Sequence, residues 1–257
     1  MTFNIIGTGN IAWFFGKRLT AGGHNCTGVF GRNIDAAKEL AEALLSDVYG
    51  NISDLKDRDA DVCFLAVSDI AIGKVASQLS FKQTVLVHTA GSVVIESIQI
   101  ASKDCAVLWP IYSITKGNLP AHRNIPCAWE ACSPKAERYV QSIGHAITDV
   151  MFEAKGDQRK WLHLSAVISN NFIYHLVGIC EKICSENNLP FSVMYPIIEQ
   201  TFEKLKSTSA NNMQTGPAIR RDTTTIQDHL ALLSKHRDWQ KIYESITDSI
   251  QTSHIIK

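Results

Sequence analysis

The sequence predicts an α/β protein: a doubly wound, mostly parallel sheet over residues 1–154, followed by an all-helical C-terminal domain over residues 155–257. Three observations predict it. Short apolar runs alternate with amphipathic segments through the first half, the pattern of βαβ units. Several of those runs are continuously apolar, as expected where helices cover both faces of a sheet. After Phe152 the strand pattern stops, and apolar residues return every three or four positions instead.

The predicted strands are Phe3–Ile6, Cys26–Phe30, Val62–Val67, Thr84–Thr89, Ala106–Trp109, Ile125–Trp129 and Ala146–Phe152. Between them, helical periodicity covers Ile11–Thr20, Asp35–Leu45, Ile70–Leu79 and Pro134–Ile143. In the second half Gln158–Asn187 reads as one long helix, broken at Leu189-Pro190. The next helix runs to about Lys206. It contains Pro196, which must kink it or begin a new helix. Ser207–Arg221 is a polar, Gly/Pro-bearing loop, and Thr223–Ser234 and Asp238–Gln251 are two closing helices.

Composition excludes several partner classes. Lys plus Arg equals Asp plus Glu, 25 against 25, so no global field favours nucleic acid or an anionic membrane. Hydrophobic residues make up 45%, enough for a packed core, yet no window approaches the ~20 apolar residues of a membrane span. Met1-Thr2-Phe3-Asn4 leads straight into a strand without a basic stretch, so no signal peptide is expected. The seven cysteines are scattered, without a Cys-x-x-Cys pair. Buried thiols in a reduced, cytoplasmic protein are expected rather than disulfides or a metal site.

Gly7-Thr8-Gly9-Asn10-Ile11-Ala12 follows the first strand and opens the first helix. In that context G-x-G-x-x-A is a dinucleotide fingerprint. Gly7 allows the tight turn, Gly9 lets backbone approach a pyrophosphate, and Ala12 lets the helix pack on the sheet. Thr8, Asn10 and Ile11 belong to the same turn, whose free N–H groups and partial positive charge suit phosphates. The first domain is therefore expected to be a Rossmann domain.

The end of the second strand distinguishes the cofactors. An NAD site wants an acid there; this chain has Gly31-Arg32-Asn33. A guanidinium fork matches the 2′-phosphate of NADP, which favours NADP(H), although Asp35 keeps NAD as an alternative. Ala66, Val67 and Ser68 end the next strand and should border the cofactor. Thr89 and Ser92, around Gly91, can bond a ribose or cap a helix. Tyr112 and Lys116 have the spacing of the short-chain dehydrogenase pair, but Pro110, Gly117 and Pro120 oppose the helix that pair needs.

Together these motifs resemble the proteins that join a Rossmann-like NADP-binding domain to a C-terminal helical domain of unknown function. Those proteins are similar to pyrroline-5-carboxylate reductase and to the deazaflavin-dependent NADP oxidoreductases. The resemblance covers nearly the whole chain. It rests on Gly7–Ala12, Phe30-Gly31-Arg32, Ala66–Asp69, His88–Ser92 and Trp109-Pro110. In the second half it rests on Lys160-x-x-His163-Leu164, Asn171-Phe172-x-x-His175-Leu176 and Gln214-Thr215-Gly216-Pro217-x-x-Arg220-x-Asp222. It implies NADP binding and an oxidoreductase, without naming a substrate.

On an ideal helix His163 and Asn170 lie about 20° apart, with Asn171 and His175 further round. Buried polar groups of this kind need partners or a ligand. Asn171 and His175 are the candidate catalytic pair, His175 as proton donor. His163, Asn170, Gln214 and Arg220 are candidate substrate ligands, and no metal is expected. A small carbonyl or imine compound reduced or oxidised by hydride transfer is the leading expectation, with a non-catalytic NADP-binding sensor or scaffold as the alternative. By analogy the helical domain forms a homodimer. One departure bears on catalysis: β-hydroxyacid dehydrogenases of related architecture place a lysine where this helix carries Ala166 and Val167.

Overall fold

Strand side chains alternate between two faces, and in this chain both faces are covered. The computed structural model describes Met1–His254. Its strands are β1 (Thr2–Ile6), β2 (Asn25–Phe30), β3 (Asp47–Val48), β4 (Val62–Leu65), β5 (Val85–His88), β6 (Cys105–Pro110), β7 (Cys127–Ala131) and β8 (Met151–Glu153). They form one sheet in the order β3-β2-β1-β4-β5-β6-β7-β8. Pairing is parallel except between β6 and β7, where Leu108 opposes Trp129 across an antiparallel ladder. The order reverses direction beside β1, between β2 and β4. In doubly wound sheets that switch point is where ligands bind.

One apolar cluster takes Phe3, Ile5, Val62, Phe64, Val85, Val87, Ala106 and Leu108 against helices α1 (Asn10–Ala21), α2 (Ile34–Leu44) and α4 (Pro134–Ile147). The other takes Ile6, Cys63, Leu65, Leu86, Cys105, Val107 and Trp109, with α3 (Ile72–Ala76) and the half-buried Leu162. Alternate residues of the same strands thus enter opposite cores. This is why the strands read as unbroken apolar runs. Each fully buried Leu, Ile or Phe contributes about 1.5–3 kcal/mol relative to exposure.

Several boundaries differ from the sequence reading. The strand expected over Ala146–Phe152 is only Met151–Glu153, because α4 continues to Ile147 and buries Val140, Ile143 and Ile147 at helical spacing. The helix expected over Ile70–Leu79 is a 3-10 turn, Asp69–Ala71, followed by the five-residue α3. β3 has only two residues, too few to show a strand pattern in the sequence. Tyr112–Lys116 is not helical, as the flanking prolines and glycine require.

By contacts the chain divides into two compact units, Met1–Asn171 and Phe172–Lys257. The sequence places a boundary at residue 154. Helix α5 (Gly156–Ala166) nevertheless belongs with the sheet, since its Arg159 and Leu162 are packed there. The long helix is not uniform: Val167–Phe172 is a π-helical stretch before α6 (Ile173–Glu186). The looser turn breaks the 100° step, so the angles expected between His163 and the asparagines do not carry across it.

The second unit continues with α7 (Tyr195–Leu205), in which Pro196 starts the helix instead of kinking it. The expected loop contains two single turns, α8 (Ala210–Met213) and α9 (Pro217–Arg220). α10 (Thr223–Leu232) is capped by Asp222, whose carboxylate accepts from Thr225 N–H at 3.1 Å, and α11 (Arg237–Ser253) closes the described chain.

Candidate cofactor cleft

At the switch point a cleft of about 690 Å³ opens over the C-terminal ends of β1, β2 and β4. Three strand ends supply it: Gly7, Thr8 and Gly9 from β1, Phe30–Asn33 from β2, and Ala66–Ser68 from β4. Gly7 has φ +127°, and a Cβ there would lie 2.1 Å from the Ala66 carbonyl oxygen. Backbone cannot yield that space, so the turn needs glycine. A Cβ on Gly9 would meet nothing within 4 Å. Gly9 is the N-cap of α1, with no side chain bonding the free amides and no acid in the first turn. Open room beside uncapped N–H groups fits the phosphates of a dinucleotide.

Arg32 is exposed in this cleft and, among the described residues, makes neither a salt bridge nor a hydrogen bond. Asn33 lines the cleft too, but its Oδ1 is engaged as the cap of α2, accepting from the N–H groups of Asp35 and Ala36 at 3.0 and 3.1 Å. Lys74 and Gln78 complete the wall from the helical side. Sequence reasoning missed both, because nothing in their spacing marks them; the fold alone carries α3 and the turn after it to that wall. Asn10, Ile11 and Thr89 do not line the cleft. Asn10 Oδ1 instead accepts from Lys116 N–H at 2.9 Å, and the buried Thr89 hydroxyl lies 3.5 Å from the Leu65 carbonyl oxygen. Lys116 pairs with Glu39 at 2.7 Å and lies over the Trp13 ring, tying the Tyr112–Lys116 segment to α1 and α2.

Beyond the cleft, the ends of β5 and β6 form a second cluster. Gly91 packs so closely on Trp109 that a Cβ would stand 2.5 Å from its ring. Ser92 Oγ donates to Asp69 Oδ2 at 2.5 Å, joining the loops after β5 and β4. The His163 ring lies 5.7 Å from that of Trp109, so this predicted ligand does reach the strand ends. His88 is fully buried. Burial, then the nearby Arg159 charge, pushes its imidazole down to about 3, so it stays neutral.

The other predicted site residues are scattered. Asn170 Nδ2 lies 3.4 Å from Asn171 Oδ1 on the π-helical stretch. In the second unit His175 and Arg220 are exposed, and Gln214 Nε2 donates to the Thr215 carbonyl oxygen at 3.3 Å. A cavity of about 360 Å³ within that unit is mostly apolar, with His229 and Tyr243 bonded at 2.8 Å. His175, Gln214 and Arg220 do not line it.

Residues 2–91 match the family described as NADP oxidoreductase, coenzyme F420-dependent, and residues 125–250 match a domain of unknown function, DUF2520. The two matches lie one after the other along the chain. A Bacteroides fragilis protein described as a candidate NADP oxidoreductase is 28% identical, with 98% of each chain covered and a TM-score of 0.90. Protein TM1727 from Thermotoga maritima is 23% identical over 98% of each chain, with a TM-score of 0.73. A 1-pyrroline-5-carboxylate reductase from Streptococcus pyogenes is 18% identical over 98% of each chain, with a TM-score of 0.64, and shares the fold. No curated protein matches the sequence. The first part of the chain is thus similar to the nicotinamide-cofactor domain of NADP oxidoreductases, and the whole chain to the Bacteroides protein.

Proposed function

We propose that the protein is an NADP(H)-dependent reductase or dehydrogenase of a small carbonyl or imine compound. The observation that carries this is the pairing of the uncapped glycine turn with an unpaired Arg32 where an NAD site would hold an acid. In this reading the amides of α1 bind the pyrophosphate. Arg32 takes the 2′-phosphate, with Lys74 as a second cation on the cleft wall. Bound there, the coenzyme supplies or accepts a hydride.

With the 2′-phosphate at the end of β2, the other half of the dinucleotide extends across the switch point to the ends of β5 and β6. Trp109 and His163 stand at those ends, which makes His163 a proton donor candidate as an alternative to His175. The imine alternative draws support from the fold shared with a pyrroline-5-carboxylate reductase. Self-association through the helical segments is also proposed: Trp161, Leu164 and Ile168 recur at three- and four-residue spacing and all are exposed. Seven free cysteines suit a reducing, cytoplasmic location; among the described residues no helix is long and apolar enough to cross a membrane.

The test is NADPH oxidation, followed optically against a panel of small keto and imino compounds. Turnover of a member of the panel is expected. Tight NADPH binding without turnover of any member would favour a sensor instead.

A further inference from the structure

Arg159 is the largest fully buried side chain among the described residues, and it carries a charge. It sits near the start of α5 and reaches β7 and the loop after β5. Its Nη2 and Nε donate to Glu130 Oε2 on β7 at 2.6 and 3.2 Å. Its Nη1 reaches the carbonyl oxygens of Val93 at 2.7 Å, Gly91 at 3.3 Å and Ala90 at 3.4 Å. One planar fork therefore holds a carboxylate on one side and three backbone carbonyls of the loop after β5 on the other. A lysine ammonium, a single point donor, cannot span both.

Burying a guanidinium is costly, and an apolar side chain of like volume would fill the same space without that cost. Such an ion is well suited to fixing one backbone conformation. Here the fixed backbone is Ala90–Val93. The same loop is pressed on Trp109 at Gly91 and joined through Ser92 to Asp69, one residue from the cleft-lining Ser68. We propose that Arg159, anchored by Glu130, is a positioning residue for the nicotinamide half of the dinucleotide: it holds the Ala90–Val93 backbone against which that half lies. This rests on the NADP(H) reading. The adenosine half, held at Gly7–Gly9 and Arg32, does not depend on it.

The experiment separates the two halves. NADPH and adenosine 2′,5′-bisphosphate, which lacks the nicotinamide nucleotide, are titrated calorimetrically into the wild-type protein and Arg159→Lys. The variant is expected to lose roughly tenfold or more in NADPH affinity, while the bisphosphate binds within about twofold of wild type. Equal losses for both ligands, or none, would overturn the positioning role. A wild-type protein that binds neither ligand would sink the NADP(H) reading itself, a different and separately visible failure. If Arg159→Lys lacks the wild-type circular dichroism, hydrogen exchange on the wild type decides. The amides of Ala90–Val93 should gain protection with NADPH and not with the bisphosphate, and protection equal with both would overturn the proposal.

Discussion

The two units of this chain solve burial differently. In the first, β1, β4, β5 and β6 send alternate side chains into two cores, and most of those residues are wholly buried. In the second, α6 buries only Cys184, α10 only Ile226, α11 only Thr247, and α7 nothing. Tyr174, Ile197 and Leu232 remain 62–80% exposed. A sheet with helices on both faces closes its own core. The helices of the second unit are amphipathic with no cover on much of their apolar side, which adds a second ground, besides the exposed Trp161, Leu164 and Ile168 of the first unit, for proposing self-association.

The sharpest way to break the comparison is Gly7→Val. A β-branched side chain at φ +127°, directed at the Ala66 carbonyl, meets backbone that cannot yield. A cost of about 3 kcal/mol or more is expected, with NADPH binding lost. Thermal unfolding with and without NADPH measures both, and a wild-type midpoint with intact binding would refute the reading of this turn.

Ile197→Asp probes the other unit. Exposed in one chain, such a substitution changes monomer stability within about 0.5 kcal/mol. At the centre of a dimer interface it costs about 2–4 kcal/mol of association. Light scattering should therefore show the mass falling from two chains to one, and a wild-type protein already of single-chain mass would remove the proposed dimer.

Arg32→Ala is expected to cost about 2 kcal/mol of NADPH affinity, the value of a hydrogen-bonded charge, and nearly nothing for NADH. Wild-type protein with NADPH at 100 times its dissociation constant should gain about 2.7 kcal/mol of stability, and more than with NADH at equal concentration. A preference unchanged in the variant would unseat Arg32.

The last expectation concerns pH. Neutral His88 in the fold stays unprotonated until about pH 3, whereas in the unfolded chain it takes a proton below about 6.5. The unfolded state therefore binds more protons between those values. Stability from this group is full above 6.5 and falls with pH, at up to ~1.4 kcal/mol per pH unit. His88→Gln should flatten the slope from pH 6.5 to about 5, where carboxylates still hold their charge. An unaltered slope would assign the acid lability elsewhere.

What could be read beforehand followed the same division. The glycine turn, Arg32 and the strand ends at Ala66–Ser68 all lie in the cleft, because their chemistry is local: a strand, a turn and a helix within a dozen residues. Asn10 and Thr89 lie outside the cleft, each engaged with a distant backbone group that no local pattern reveals. His163, Asn170, Asn171 and His175 would share one stripe only on an ideal helix, and the π-helical stretch at Val167–Phe172 departs from that geometry.

Sequence alone determined the sheet, the glycine turn and the cation at the end of β2, since burial periodicity and turn sterics act over short separations. Only the tertiary structure decided that Lys74 and Gln78 wall the cleft, and that Arg159 and Glu130 meet beneath the loop after β5. Those contacts join residues up to 69 positions apart. Such pairs form only when strand order and helix packing bring them together, and no pattern of spacing encodes that.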